Sequence, residues 1–132
     1  MSKIVIGYDG SEAAKRALER AASLANGDEV IVVSAVHQMV SRAGMGYDPV
    51  EAEEHQRHLA EAKARLEELG VSGRTVEGVG DPATVIAAEA EATDADLVIV
   101  GSEGKNALER LFEGSVSADL TQKAKTDVLV VH

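Results

Sequence analysis

Five short apolar runs rich in β-branched residues are the feature that most constrains what this chain can fold into. In most of them apolar residues occupy consecutive positions instead of alternating with polar ones. That pattern is typical of parallel strands that are covered on both faces. The five predicted strands are Lys3–Gly7, Glu29–Val36, Arg74–Val79, Leu97–Gly101 and Val128–Val131.

Helical patterns separate the predicted strands. Gly27 closes the first helix, Gly70 lies just beyond the second, and Asp81 supplies an N-cap for the third. The four predicted helices begin near Ser11, Val50, Pro82 and Ser115. The alternation predicts a three-layer α/β fold in one domain over residues 1–132, with an open parallel sheet of five strands ordered 3-2-1-4-5.

One connection is long. It extends from Gln38 to Pro49 and contains Gly44 and Gly46. Connections of about a dozen residues without regular structure are usually functional or mobile. We predict a mobile flap here, with a disordered insertion as the alternative.

Composition excludes several classes of protein. The 132 residues include 23 acidic and 13 basic side chains, for a net charge of -10, and 45% are hydrophobic. The apolar fraction is sufficient for a core, and the acidity disfavours binding to nucleic acid. Without cysteine, disulfide scaffolds, thiolate zinc sites and thiol nucleophiles are excluded. The longest apolar run, Val30–Val33, is too short to span a membrane, and Lys3–Gly7 follows the N-terminus without a secretory segment, so we expect a cytoplasmic protein.

Ligands of such open sheets bind beyond the carboxyl ends of the strands, where neighbouring crossovers leave to opposite faces. In the predicted order that point lies between the first and fourth strands. Asp9 follows the first strand just before a helix. It can cap that helix, or its carboxylate can accept hydrogen bonds from a ribose hydroxyl or an adenine amine.

Glycines follow the fourth strand at Gly101 and Gly104, and Gly114–Ser115 opens the last predicted helix. Glycines let backbone N–H groups turn toward an anion, and the first amides of a helix attract phosphate. The hydroxyls of Ser102, Ser115 and Ser117 add donors. This stretch predicts a phosphate site; the alternative is that the glycines only end a strand and start a helix.

Other motifs predict less. Gly78–Ala83 fits a dinucleotide-binding fingerprint, but it starts at the third strand and leaves no room for a complete nucleotide-binding half. Gly104–Lys105 lacks the Ser or Thr of a Walker A sequence. His55 and His58 lie three residues apart beside Glu51 and could share a metal, but we favour a solvated amphipathic helix and predict no metal ligands.

At these residues the chain resembles the ATP-binding branch of the universal stress proteins. The pattern Gly-x2-Gly-x9-Gly-Ser is filled by Gly101, Gly104, Gly114 and Ser115, and the opening Ile4–Ser11 and the closing Val128–Val131 are similar too. The resemblance implies that Asp9 holds the adenosine end and that the backbone near Ala35 and Val36 recognises adenine. It implies a phosphate lining formed by Gly101, Gly104, Gly114, Ser115, Val116 and Ser117.

The function that the resemblance implies is adenine-nucleotide binding, with ATP and Mg²⁺, by a stress-response switch or sensor without catalytic residues. A slow ATP-hydrolysing or phosphate-transferring enzyme and a nucleotide-free interaction module are the alternatives. The apolar run Val128–Val131 is the predicted edge strand and carries no Lys or Pro to protect it. We therefore predict a homodimer through this strand, as in similar universal stress proteins.

Overall fold

A computed structural model describes residues 2–36, 38–41, 44–102 and 126–132. In chain order the strands are β1 (Lys3–Gly7), β2 (Glu29–Val36), β3 (Gln38–Ser41), β4 (Gly44–Tyr47), β5 (Gly73–Val79), β6 (Leu97–Gly101) and β7 (Asp127–Val131). The helices are α1 (Glu12–Leu24), α2 (Pro49–Glu68) and α3 (Pro82–Thr93). The fourth predicted helix, after Gly114–Ser115, lies outside the described residues.

Five strands form one parallel sheet in the order β5-β2-β1-β6-β7. The central strand is β1, in which Val5 pairs with Ile31 of β2 and with Val98 of β6. The prediction counted only the five sheet strands, without the hairpin strands β3 and β4. With those two left out of the count, the observed order is 3-2-1-4-5, and the predicted order is confirmed. The sheet edges in the described structure are β5 and β7.

The sheet has two covered faces. The first, which we call the α1–α2 face, packs side chains such as Ile4, Ile6 and Val32 against the apolar stripes of α1 and α2. The second, the α3 face, consists of Val5, Ile31, Val33, Ala83, Ile86, Ala90, Ala95, Val98 and Val100. Since successive side chains of a strand point to opposite faces, coverage of both faces explains the consecutive apolar positions of β1 and β2.

Each described helix begins at a residue that caps it. Ser11, Asp48 and Asp81 each accept a hydrogen bond from a backbone N–H of the first turn, and Pro49 and Pro82 occupy first positions where a missing N–H costs nothing. The predicted cap and proline of the third helix are confirmed. These caps place the starts of all three helices at the carboxyl edge of the sheet.

The connection after β2 is partly a hairpin. Strands β3 and β4 pair antiparallel, with Ser41 opposite Gly44 and Gln38 opposite Tyr47. Gly44 has a φ of 113°, which a residue with a side chain rarely adopts. The expected lack of regular structure is therefore wrong for residues 38–41 and 44–47, because backbone pairing organises them, and the mobility of the flap stays a prediction.

In the described part of the chain, no helix is both long enough and apolar enough to cross a membrane.

Candidate functional site

The carboxyl ends of β1 and β6 flank a crevice. The crossover from β1 to β2 passes through α1 on one face of the sheet, and the crossover into β6 passes through α3 on the other. Gly7 pairs with Val100, so the segments that follow β1 and β6 leave the sheet side by side. Such a point is where ligands bind in open α/β sheets.

The turn from β1 to α1 presents Asp9 at the mouth of this crevice. Asp9 is exposed, and its Oδ1 accepts the Ser11 N–H at 3.0 Å. The cap of α1 is Ser11, whose Oγ accepts the Ala14 N–H at 3.1 Å. Asp9 is therefore not the helix cap, and it holds the turn while its carboxylate remains open to solvent.

Tyr8 anchors the same turn from below. Its side chain is buried on the α1–α2 face, and its N–H donates to Val33 at 2.9 Å. Burial raises the pKa of the Tyr8 phenol, and the carboxylates of Glu61, Asp9 and Glu12 raise it further. The phenol therefore stays neutral at physiological pH.

At the end of β2, the backbone N–H and C=O of one residue, Ala35, are directed toward the crevice. Val33 accepts the Tyr8 N–H from the β1 side, whereas Val36 accepts the Gly80 N–H from the β5 side at 2.8 Å. Since successive residues of a strand direct their N–H and C=O groups to opposite sides, those of Ala35 point to the same side as those of Val33, toward β1 and beyond its last residue Gly7. Ala35 therefore offers a donor and an acceptor next to the crevice, and Val36 is turned toward β5.

Gly101 closes the other side of the crevice against α1. A Cβ atom at this position would lie 2.8 Å from both the Ala13 carbonyl carbon and the Ala14 nitrogen, which are backbone atoms that cannot move aside. Ser102 N–H donates to the Val131 carbonyl at 2.9 Å. The remaining predicted phosphate residues lie outside the described residues: Gly104, Gly114, Ser115, Val116 and Ser117.

Helix α2 is amphipathic as predicted, and its two histidines are half-buried at the border of the buried face, where they contact the end of β2 and the turn after β1. His55 Nδ1 is hydrogen-bonded to the Ser34 hydroxyl, and its Nε2 lies 3.5 Å from Glu51 Oε1. The His58 ring lies against Gly10. Among the described residues no cluster of three His, Asp or Glu side chains could hold a metal ion. The spacing held a signal for His55, because it continues the buried stripe of Leu59 and Leu66.

The rival fingerprint at residues 78–83 has a structural explanation. Asp81 Oδ2 accepts the Thr84 N–H at 3.3 Å, and Gly80 turns with a φ of 133°. The space above Gly78 is filled by Val85 of α3. These glycines serve the packing of α3 on β5 and the start of α3.

Comparison with known proteins agrees with this architecture. The model of the universal stress protein family matches residues 1–132. A universal stress protein of Methanocaldococcus jannaschii is 37% identical over 137 residues, covering 98% of this chain and 81% of the relative. A universal stress protein of Mycobacterium tuberculosis is 30% identical over 140 residues, covering 98% of this chain and 94% of the relative.

Solved structures give the same result. A universal stress protein crystallised in complex with cAMP has a TM-score of 0.73 at 29% identity, covering 99% of this chain and 97% of that one. A universal stress protein of Archaeoglobus fulgidus has a TM-score of 0.74 at 26% identity, covering 100% of this chain and 94% of that one. With the family model matched from end to end and the sheet order and crevice described above, this chain belongs to the universal stress protein family.

Proposed function

We propose that this protein binds an adenine nucleotide in the crevice between β1 and β6 and acts as a binding switch. The strongest support comes from the backbone of Ala35, whose N–H and C=O point beyond the end of β1. The Watson–Crick edge of adenine carries an amine donor next to a ring-nitrogen acceptor. A backbone C=O and N–H from one residue complement that pair, whereas the same edge of guanine has the opposite polarity at both positions.

Charge orients the nucleotide within the crevice. The carboxylate of Asp9 lies exposed at the mouth of the crevice, where it would repel a phosphate and could accept a hydrogen bond from a ribose hydroxyl. The phosphates therefore belong at the β6 side, where Gly101 begins the glycine and serine motif. In the proposed complex Gly101, Gly104, Gly114, Ser115, Val116 and Ser117 line ATP, with Mg²⁺ bound to the phosphates. The related protein crystallised with cAMP supports the adenine-nucleotide class.

Binding, and not turnover, is the proposed activity. In the described part of the chain, the carboxylate nearest the crevice belongs to Asp9, which is exposed and already accepts the Ser11 N–H. A general base needs a carboxylate placed beside the attacking water and the phosphate. We therefore expect any hydrolysis of ATP to fall below about 1 s⁻¹, the lower end of ordinary enzyme rates.

Calorimetric titration with Mg²⁺ and ATP tests this proposal. Gly114→Val places a side chain where the phosphates need the backbone, so binding should be abolished while thermal unfolding still shows a folded protein. Gly27→Ala is the control: Gly27 precedes β2 at the opposite edge of the sheet and a Cβ there meets no atom within 4 Å, so its φ of 79° should cost some stability without changing ATP affinity. Unchanged affinity in Gly114→Val would place the phosphates elsewhere.

We also propose that β7 pairs with its own copy in a homodimer. Val131 accepts the Ser102 N–H on the β6 side, so the N–H and C=O groups of Val128 and Val130 point away from the sheet. A two-fold axis would satisfy them in antiparallel register. Val130→Pro removes one outward donor without touching a bond to β6, so the sedimentation mass should fall to that of a monomer. A parent chain of 13.8 kDa by sedimentation at high concentration would contradict the dimer.

A further inference from the structure

Two histidines of α2 contact the two segments that the proposed function places at the adenosine. His55 is hydrogen-bonded to Ser34, which precedes Ala35, and the His58 ring lies against Gly10, which follows Asp9. The two ring centroids are 6.3 Å apart. One turn of one helix therefore bridges the end of β2 and the turn after β1.

The contact of His55 fixes the end of β2. Ser34 is 2% exposed, and its side chain lies on the α1–α2 face like those of Val30 and Val32. A buried hydroxyl without a partner would destabilise the fold, so the contact with His55 satisfies it. Glu51, one turn earlier in α2, lies 3.5 Å from the other ring nitrogen of His55. With both nitrogens in contact, the ring has one favourable orientation, and it holds Ser34 and the adjacent Ala35.

The contact of His58 fixes the turn that carries Asp9. A Cβ atom on Gly10 would lie 2.7 Å from His58 Cε1 and 2.8 Å from Nδ1, and Gly10 has a φ of 80°. Only glycine fits here for both reasons. His58 Nδ1 is buried and has no hydrogen-bond partner among the residues that the structure describes. The His58 ring therefore packs directly against the backbone of the turn that carries Asp9.

We infer that His55 and His58 are positioning residues for the nucleotide. Through them, α2 fixes the distance between the turn after β1 and the end of β2, so that adenosine fits between these two segments. This inference rests on the proposed function and adds the element that sets its geometry. Neither histidine is assigned a contact with the ligand. Each acts through a neighbour, His55 through Ser34 and His58 through Gly10.

A double-mutant cycle tests the contact of His58, with AMP affinity measured by calorimetry. Gly10→Ala introduces both the collision with the ring and the unfavourable φ, and we expect affinity to fall about tenfold or more. In a His58→Ala background the collision is absent, so the same Gly10→Ala change should cost clearly less, because only the φ penalty remains. Equal costs in the two backgrounds would overturn the role of His58.

Conservative rescue tests the contact of His55. Asn places an amide group near the position of Nδ1, so His55→Asn should keep AMP affinity within about threefold of the parent, whereas His55→Leu should lose about tenfold. Gln56→Ala is the control, because Gln56 lies between the two histidines and is exposed. If His55→Leu binds like the parent, or His55→Asn binds as weakly as His55→Leu, His55 has no positioning role. Thermal unfolding of each variant separates loss of affinity from loss of fold.

Titration of the parent protein distinguishes a failure of the proposed function from a failure of the positioning role of the histidines. If it binds neither AMP nor ATP, the proposed function and this inference both fail. If it binds AMP but the cycle is additive and His55→Leu is neutral, the proposed function stands and this inference alone fails.

Discussion

The two covered faces of the sheet differ in chemistry. The α3 face packs Val, Ile and Ala side chains, and its buried polar residue in the described chain, Thr126, lies at the amino end of β7, where its hydroxyl donates to the Ala95 carbonyl. The α1–α2 face has a comparable apolar core at the amino end of the strands, but near their carboxyl end it includes Tyr8, Ser34 and the two histidines of α2. Buried polar groups stabilise less than apolar ones of the same size, so their concentration beside the crevice points to function. The α3 face mainly stabilises the fold, and the carboxyl-end part of the α1–α2 face shapes the site.

The largest expected effect tests the structural half of this comparison. Ile31→Ala removes a fully buried side chain from the amino half of β2 on the α3 face, and the free energy of unfolding should fall by about 2–5 kcal/mol in denaturant titrations. AMP affinity of the folded variant should not change.

A matched control lies on the other face. Leu66→Ala removes a buried side chain that contacts Gly73 near the amino end of the strands, far from the crevice. It should destabilise the protein to a similar degree and also leave affinity unchanged. A loss of affinity in Ile31→Ala that Leu66→Ala does not share would show that the α3 face shapes the site as well.

A smaller effect tests the polar half. Ser34→Ala leaves His55 Nδ1 without its partner, so the protein should lose about 1–3 kcal/mol of stability and AMP affinity should fall with it. The double variant Ser34→Ala/His55→Leu removes both partners and should be more stable than the sum of the single changes predicts. Strict additivity would mean that the two side chains are not coupled.

The smallest effect concerns Tyr8 and alkaline pH. Its folded pKa is raised above the ordinary 10.0, first by burial and then by nearby carboxylates. A raised pKa means that the neutral phenol contributes stability below pH 10, and that this contribution is lost as the pH rises through the folded pKa. Tyr8→Phe should therefore unfold less readily than the parent above that pH. Alkaline titration in a Tyr47→Phe background, where Tyr8 is the remaining tyrosine, measures this; an ordinary pKa would contradict the account.

Much of the fold could be predicted because its signals are local. Consecutive apolar residues in β1 and β2 indicated a sheet covered on both faces, and Asp81–Pro82 marked the start of α3. The hairpin of β3 and β4 was missed because four-residue strands with two glycines carry little apolar periodicity. The hairpin is formed by backbone hydrogen bonds between the two strands, and the side-chain composition of such short strands does not predict that pairing.

The candidate site was only partly predictable for a different reason. Asp9 could be placed at the crevice from its position after β1, but the fact that Ser11 and not Asp9 caps α1 depends on backbone angles. The orientation of Ala35 toward the crevice follows from the register of β2 between its neighbours. The contact of His58 with Gly10 joins residues 48 positions apart in the chain, and no local pattern encodes it.

The backbone amide of Ala35 tests the central claim most directly. In an amide NMR titration with AMP, the resonances of Ala35 and of the turn at Asp9–Ser11 should shift together and saturate, while those of Glu89–Thr93, at the end of α3 that is remote from the crevice, should stay in place. GMP at the same concentrations should leave Ala35 unshifted, because the guanine edge has the opposite donor and acceptor pattern. AMP binding that saturates without moving Ala35, or that moves it equally with GMP, would contradict adenine recognition at the end of β2.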